Sequence, residues 1–311
     1  MSRLSPVASH GTHSQNQMLK ELIRKCYRSL PLIRELREAN HTLRKIQEAA
    51  LLGATLDAVR LFDLDLKSHP RYGSKKRLTP FEFRVNSQNG EDGIIQEIFH
   101  RIGSRDRFFV EVGLGDGLEC NTAFLLSKGW TGCWIDASPG FLAAIQGRPD
   151  LGKDALKTSV ASVSRENIRS LLQQLNVSEE FDFLSLDIDQ NTYYAWEGLR
   201  GFRPRAIVVE YNSAVPPDVD WKASYDAARV WGGTHNNYGA SLKSLELLGR
   251  TLGYSLVGCD FNGVNAFFVR NDLVGDQFEA PFTAEHHYEP PRFGLALVQR
   301  AHQRAILDRS S

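Results

Sequence analysis

The sequence has few cysteines, and their spacing does not fit a zinc site or a set of disulfides. Its 311 residues include four cysteines, none at C-x-x-C spacing, so neither a zinc knuckle nor a disulfide framework is predicted. No apolar run approaches the roughly 20 residues that cross a bilayer. The polar start MSRLSPVASHGTHSQ also lacks the apolar core of a secretory signal. We therefore expect a soluble protein with reduced thiols in the cytoplasm.

The formal net charge is also zero, because 37 Lys and Arg balance 37 Asp and Glu. The overall charge of the chain therefore does not favour a nucleic acid or an acidic polymer as partner. The distribution is uneven: residues 1–80 hold 15 basic and 7 acidic residues, which leaves 22 basic and 30 acidic residues for the remainder. This basic arm is expected to meet a membrane surface, a partner protein or the acidic body of the same chain.

The first 85 residues are predicted to lie outside the main domain. Residues 1–17 are rich in Ser, His, Gln and Asn and are expected to be disordered. In residues 18–66, apolar residues recur at three- and four-residue steps, which predicts an α-helical extension of two or three helices broken or kinked near Pro31 and Gly53. We interpret it as a packing or homo-oligomerisation element, with peripheral membrane contact as the alternative. Residues 67–85 are predicted to form a linker.

Residues 86–273 alternate between short β-rich runs and helical stretches, which predicts a Rossmann-like α/β domain. The last two strands are joined by a loop too short for a parallel crossover, so they are expected to form an antiparallel hairpin in a mostly parallel sheet. Residues 274–311 are expected to be a tail with a short helix. The seven predicted strands are Phe108–Val112, Gly132–Asp136, Leu156–Val160, Phe183–Asp187, Ala206–Glu210, Ser255–Cys259 and Ala266–Arg270.

A glycine-rich turn follows the first predicted strand and indicates a nucleoside ligand. Glu111 ends that strand, and Gly113 and Gly115 let main-chain amides approach a ligand. The spacing differs from the G-x-G-x-x-G of pyrophosphate binders, and acids beside the turn suit the cationic S-adenosylmethionine. Asp136 ends the second strand, where a carboxylate can take both ribose hydroxyls or cap a helix. Ser162, at the tip of the third strand, is expected to contact adenine.

Acidic residues end the fourth and fifth predicted strands. Asp187, Asp189 and Glu210 can together hold a divalent cation such as Mg²⁺. Alternatively, Asp189 acts alone as a general base, or the acids cap loops and pair with a basic residue such as Arg205. His235, in a Gly/Asn-rich loop, is a second candidate base or a solvated surface residue.

Ordered segments resemble the FkbM-type class I S-adenosylmethionine-dependent methyltransferases. They are SQNGEDGIIQEIF, FFVEVGLGDGLECNTAFLLSKGWTGCWIDAS, FLSLDIDQNTYYAW, AIVVEYNS and YGASLKSLELLGRTLGYSLVGCDFNGVNAFFVR.

The resemblance implies a methyltransferase domain over residues 86–273 that transfers a methyl group to a hydroxyl, commonly on a sugar of a glycan or glycolipid intermediate. It places Glu111, Gly113, Gly115 and Asn121 on the methionine side of the cofactor. It places Asp136 at the ribose and Asp187 at the substrate end of the cofactor. The chain departs from the family at Gln190, where a glycine is expected. Other activities stay open: N-methylation, modification of a nucleotide sugar, or a non-catalytic scaffold.

Overall fold

The protein consists of two units, Met1–Asp57 and Ala58–Ser311. The computed structural model describes residues 20, 31–115, 117, 119–140, 145, 155–229 and 236–292. The expected disorder of residues 1–17 and a helix expected before Pro31 lie outside these residues. Among the described helices, none is long and apolar enough to span a membrane.

Helix α1 runs without interruption from Pro31 to Ser68, over 38 residues. Of the predicted break or kink near Gly53, the break is therefore wrong. A glycine costs a helix interior about 1 kcal/mol, and the neighbouring Leu51, Leu52 and Ala54 are strong helix formers that offset it.

A seven-stranded sheet forms the centre of the second unit, in the order β3-β2-β1-β4-β5-β7-β6. Strands β1 to β5 are parallel, and β7 pairs antiparallel with both β5 and β6. The predicted α/β class, with a mostly parallel sheet and an antiparallel last hairpin, is confirmed. The strands are β1 Phe108–Val112, β2 Thr131–Asp136, β3 Leu156–Val160, β4 Phe183–Leu186, β5 Ala206–Glu210, β6 Tyr254–Cys259 and β7 Asn265–Arg270.

Helices cover both faces of the sheet. Because side chains alternate along a strand, Val110 and Val112 of β1 pack in one apolar cluster and Phe109 packs in the other. The first cluster includes residues of α4, α5 and α6, and the second includes residues of α2 and α3. The remaining helices are α2 Glu91–Ile102, α3 Ala123–Ser127, α4 Ile168–Gln174, α5 Thr192–Gly198, α6 Leu242–Leu252, α7 Asn271–Val274 and α8 Ala284–His287, with 3₁₀ turns at Pro70–Tyr72, Thr79–Phe81 and Asp189–Asn191.

The segment interpreted as a linker packs against the C-terminal segment. Leu78 is buried beside the sheet, and the Tyr72 hydroxyl donates to Glu289 Oε2 at 2.7 Å. The Tyr211 hydroxyl, directly after β5, donates to the carbonyl oxygen of Glu289 at 2.7 Å. Residues on both sides of the predicted 86–273 domain therefore complete its core.

The strand order fixes where a ligand can bind. Strand β1 lies between β2 and β4, so the chain leaves β1 and β4 toward opposite sides of the sheet. A crevice opens at the carboxyl ends of the strands at such a switch point. This is where the glycine turn and the strand-end acids lie.

Candidate functional site

A cavity of about 720 Å³ lies at the carboxyl ends of β1 to β4. Its size is within the range of small-molecule sites. Six of the predicted site residues line it: Gly113, Gly115, Asp136, Ser162, Asp187 and Asp189. Glu111, Asn121 and Glu210 are not among the lining residues, and His235 lies outside the described part of the chain.

Gly113 is required where β1 and β4 meet. Its φ is +83°, and an added Cβ would lie 1.6 Å from the carbonyl oxygen of Asp187. Its N–H donates to the Ile135 carbonyl of β2 at 2.9 Å. No other residue fits between these strands, because any side chain would overlap the main chain of the next strand.

At position 115 glycine is favoured by its backbone conformation and not by crowding. Its φ is +59°, but a Cβ there would meet no atom within 4 Å. The backbone conformation favours glycine, and the empty space beside it belongs to the cavity that Gly115 lines. A ligand can therefore approach the main chain at this position.

Asp136 binds the glycine turn. Its Oδ2 accepts hydrogen bonds from the N–H groups of Leu114 and Gly115, at 2.8 and 3.0 Å. Its Oδ1 accepts one from Ser138 N–H at 2.7 Å. A carboxylate oxygen can accept two hydrogen bonds, so Oδ1 keeps capacity for a ligand hydroxyl. The capping and ribose-binding interpretations of Asp136 are thus compatible in one side chain.

Glu111 fastens the segment that follows the glycine turn. Its carboxylate accepts from the N–H groups of Asn121 and Thr122, at 2.8 and 3.0 Å, and from the Thr122 hydroxyl. Burial raises the pKa of Glu111 to about 7, against the hydrogen bonds that lower it. The Asn121 side chain donates to Ser185 Oγ at 3.1 Å. Both residues support the cavity wall, and their predicted place on the methionine side of the cofactor stays a prediction.

Asp187, Asp189 and Glu210 come together as predicted, with one carboxylate oxygen of each within 4.8 Å of the others. Burial raises the pKa of Asp187 to about 6, and the Asp189 charge adds to this. Burial, followed by the charges of Asp187 and Asp189, raises the pKa of Glu210 well above its usual range. Glu210 and Asp187 are hydrogen-bonded to each other, and two carboxyl groups can form such a bond only with a proton between them.

The turn after β4 forms without the expected glycine. Asp189 itself takes the left-handed conformation, with a φ of +51°, which Asp tolerates better than most residues. Gln190 lies in the 3₁₀ turn and is 1% exposed. The positive φ of this turn therefore falls at Asp189, and Gln190 is buried with no hydrogen-bond partner for either polar atom of its side chain.

The cavity-lining residues that were not predicted as site residues from sequence include Gln88, Glu119 and Arg229. Gln88 belongs to the segment before α2. Glu91 anchors this segment by accepting from Asn89 N–H at 2.6 Å and from the Asn265 side chain of β7 at 2.6 Å. The SQNGEDG motif was the sequence signal for this wall.

Arg229 comes from the long connection between β5 and α6. The Asn191 side chain donates to the carbonyl oxygens of Asp226 and Arg229, at 2.9 and 3.4 Å, and so attaches this connection to the turn after β4. The connection has no periodic pattern, so sequence could not place it at the cavity.

The charge of the cavity is mainly negative. Among its described lining residues, the acids are Glu119, Asp136, Asp187 and Asp189, and the one base is Arg229. Such a lining attracts a cation and disfavours a pyrophosphate, because like charges repel more strongly where water is displaced.

Solved methyltransferase structures are similar to this chain at low identity. The methyltransferase domain of bacterial CtHen1-C is 13% identical, over 59% of this chain and 97% of that chain, with a TM-score of 0.38. The glycopeptide N-methyltransferase MtfA, complexed with S-adenosylmethionine, is 12% identical over 61% and 96%, with a TM-score of 0.37. An O-methyltransferase from Bacillus cereus, in complex with S-adenosylhomocysteine, is 16% identical over 70% and 89%, with a TM-score of 0.37.

These similarities concern the fold and carry no inference about a substrate. No model of a protein family matches the chain, and no curated protein matches it. Membership of the FkbM-type family therefore stays a prediction.

Proposed function

We propose that this protein is an S-adenosylmethionine-dependent methyltransferase that acts on a hydroxyl of a sugar, in a glycan or glycolipid intermediate. The observation that carries the proposal is one cavity that joins the glycine turn, Asp136 and the strand-end acids. Gly115 leaves room for a ligand beside the main chain. The acidic lining favours a cationic sulfonium over the pyrophosphate of a dinucleotide.

The assigned roles follow the order of the residues around the cavity. Asp136 offers Oδ1 to the ribose hydroxyls, and Ser162, on the loop after β3, lies at the adenine end. Gly113 and Gly115 face the sulfur, and Glu111 and Asn121 hold the turn in place through Thr122 and Ser185. Asp187 lies at the end of the cofactor that meets the acceptor.

Methyl transfer of this kind is an in-line displacement in which the protein aligns the nucleophile, the methyl group and the leaving sulfur, and removes one proton. S-adenosylmethionine supplies the methyl group. Asp189 lines the cavity, and burial raises its pKa, which makes its carboxylate a stronger base. We assign Asp189 as the group that takes the proton of the acceptor hydroxyl. His235 is the alternative base.

The three strand-end carboxylates also fit a divalent cation. They offer three oxygen ligands within 4.8 Å, and oxygen is the ligand that Mg²⁺ prefers. Three acids this close repel one another unless a proton or a cation lies between them. Burial, followed by this repulsion, raises the pKa of Glu210. A cation held by Asp187, Asp189 and Glu210 would supply Lewis-acid chemistry that orients and acidifies a hydroxyl. This favours a hydroxyl acceptor, and a sugar diol in particular.

The test is calorimetric titration with S-adenosylhomocysteine, with NAD as control, with and without Mg²⁺. Micromolar binding of S-adenosylhomocysteine and none of NAD supports the proposed cofactor. Radiolabelled S-adenosylmethionine then reports on acceptors, with glycans and glycolipids set against their amino-sugar analogues. A folded protein that binds no S-adenosylhomocysteine in either metal condition overturns the proposal. Labelling of the amino sugars alone would support the N-methyl alternative.

A further inference from the structure

Helix α1 has a bare apolar seam with the spacing of a coiled coil. Four large apolar residues, Leu32, Leu36, Leu43 and Ile46, are 54 to 66% exposed. Ala39, Ala50 and Gly53 are also exposed and complete the series. The steps between these seven residues alternate between four and three along about three heptads, which places them at the a and d positions of a heptad repeat.

The charges of α1 avoid this seam. Five charged residues of the same stretch, Arg37, Glu38, Arg44, Lys45 and Glu48, fall at the outward b, c and f positions. The positions beside the seam are uncharged apart from Glu35: Ile33, Asn40, Thr42, Gln47 and Ala49. The Thr42 hydroxyl donates to the Glu38 carbonyl of its own turn at 2.9 Å, so it needs no donor or acceptor from a partner.

We propose that the seam Leu32–Gly53 pairs with the same seam of a second copy of this chain, as a two-helix coiled coil. Helix α1 has six basic and six acidic residues, so two copies meet without net repulsion. A membrane fits less well, because a neutral helix gains nothing from anionic lipid. Ala39, Ala50 and Gly53 would also add little to insertion, whereas small seam residues allow two helices to approach closely.

The test is the mass of the full-length protein in solution, by light scattering after gel filtration at micromolar concentration. The wild type is expected at about 70 kDa, twice the 35.0 kDa of one chain. Leu43→Gln with Ile46→Gln is expected to be a monomer, because the new amides interrupt the seam. The matched control introduces glutamine at the adjacent outward positions, Arg44→Gln with Lys45→Gln, and is expected to stay dimeric.

A second variant is designed to strengthen the dimer, a result that misfolding cannot produce. Ala39→Leu with Ala50→Leu fills the seam and is expected to lower the dissociation constant of the dimer at least tenfold. Near-ultraviolet circular dichroism checks that the sheet unit is unchanged in every variant. A monomeric wild type overturns the proposal, as does a seam variant that remains dimeric. A monomer that floats with phosphatidylserine vesicles would assign the seam to a membrane instead.

Discussion

The carbonyl oxygen of Asp187 occupies the place where a side chain on Gly113 would begin, 1.6 Å from an ideal Cβ. The glycine turn and the strand-end acids are therefore in direct main-chain contact. A change at one of them is expected to displace the other.

Gly113→Ala is expected to lower the free energy of unfolding by about 3 kcal/mol or more, because overlap adds to backbone strain at positive φ. Gly115→Ala, with the same strain but open space, is expected to cost about 1 kcal/mol and to weaken S-adenosylhomocysteine binding at least tenfold. Urea unfolding and calorimetric titration measure the two effects. Equal behaviour of the two variants would contradict the distinction drawn between these glycines.

Asp136→Ala is expected to abolish S-adenosylhomocysteine binding. The substitution removes the acceptor of three main-chain N–H groups and the oxygen assigned to the ribose. Asp136→Asn keeps one oxygen and is expected to bind about 10 to 100 times more weakly than the wild type, a loss of about 1.4 to 2.8 kcal/mol. Near-wild-type affinity in the alanine variant would remove the ribose assignment.

Binding of Mg²⁺ is expected to release about one proton near neutral pH, because the cation displaces the proton that lies between Glu210 and Asp187. The raised pKa values of Asp187 and Glu210 mean that protons compete with the cation, so metal affinity rises with pH. Titration in buffers of different ionisation enthalpy counts the released proton.

Glu210→Gln separates this metal role from folding. The glutamine amide can still donate to Asp187, so the fold and S-adenosylhomocysteine affinity are expected to be retained while metal affinity falls at least tenfold. Glu119→Gln is the matched control, since Glu119 lines the cavity outside the acidic cluster. If the wild type binds no divalent cation, Asp189 acts as a base without one.

Stability is expected to fall as the pH rises from about 4.5 to 7, through the contribution of Glu111. Burial raises the folded-state pKa of Glu111 from 4.5 to about 7, so the unfolded chain loses its proton first and gains relative stability over that range. The loss amounts to about 3 kcal/mol at most and is complete above pH 7. Below pH 4.5 this contribution is fully present.

The measurement is urea unfolding of the wild type and Glu111→Gln at several pH values between 4 and 8. The advantage of the wild type over the variant is expected to shrink with rising pH, because glutamine does not titrate. A difference that stays constant or grows with pH would show that Glu111 is ionised in the folded protein.

Most of the sheet could be predicted closely from sequence because its central strands are buried on both faces. Strands β1, β3 and β5 have the predicted bounds. The apolar runs of β1 and β5 end at Gly113 and Glu210, which marks their ends in the sequence. The meeting of Asp187, Asp189 and Glu210 also followed from strand order alone, because parallel strands end at one edge.

Other parts of the site could not be predicted, for physical reasons. The strand end that carries Glu111 was clear, but its side chain accepts hydrogen bonds from the following segment, and hydrogen-bond partners leave no periodic pattern. Arg229 lies in a long connection whose course depends on Asn191. Gly53 does not break helix α1, because the helix formers around it outweigh its free-energy cost. A single glycine is therefore a weak signal for the end of a helix.

Tyr72 and Glu289 are 217 residues apart and share a hydrogen bond. The segment before β1 and the segment after β7 therefore meet at this contact. A recombinant fragment limited to residues 86–273 would lack both Tyr72 and Glu289. It would expose Tyr211 and the adjacent part of the sheet. Conversely, we expect a short peptide joining residue 69 to residue 292 to permit circular permutation.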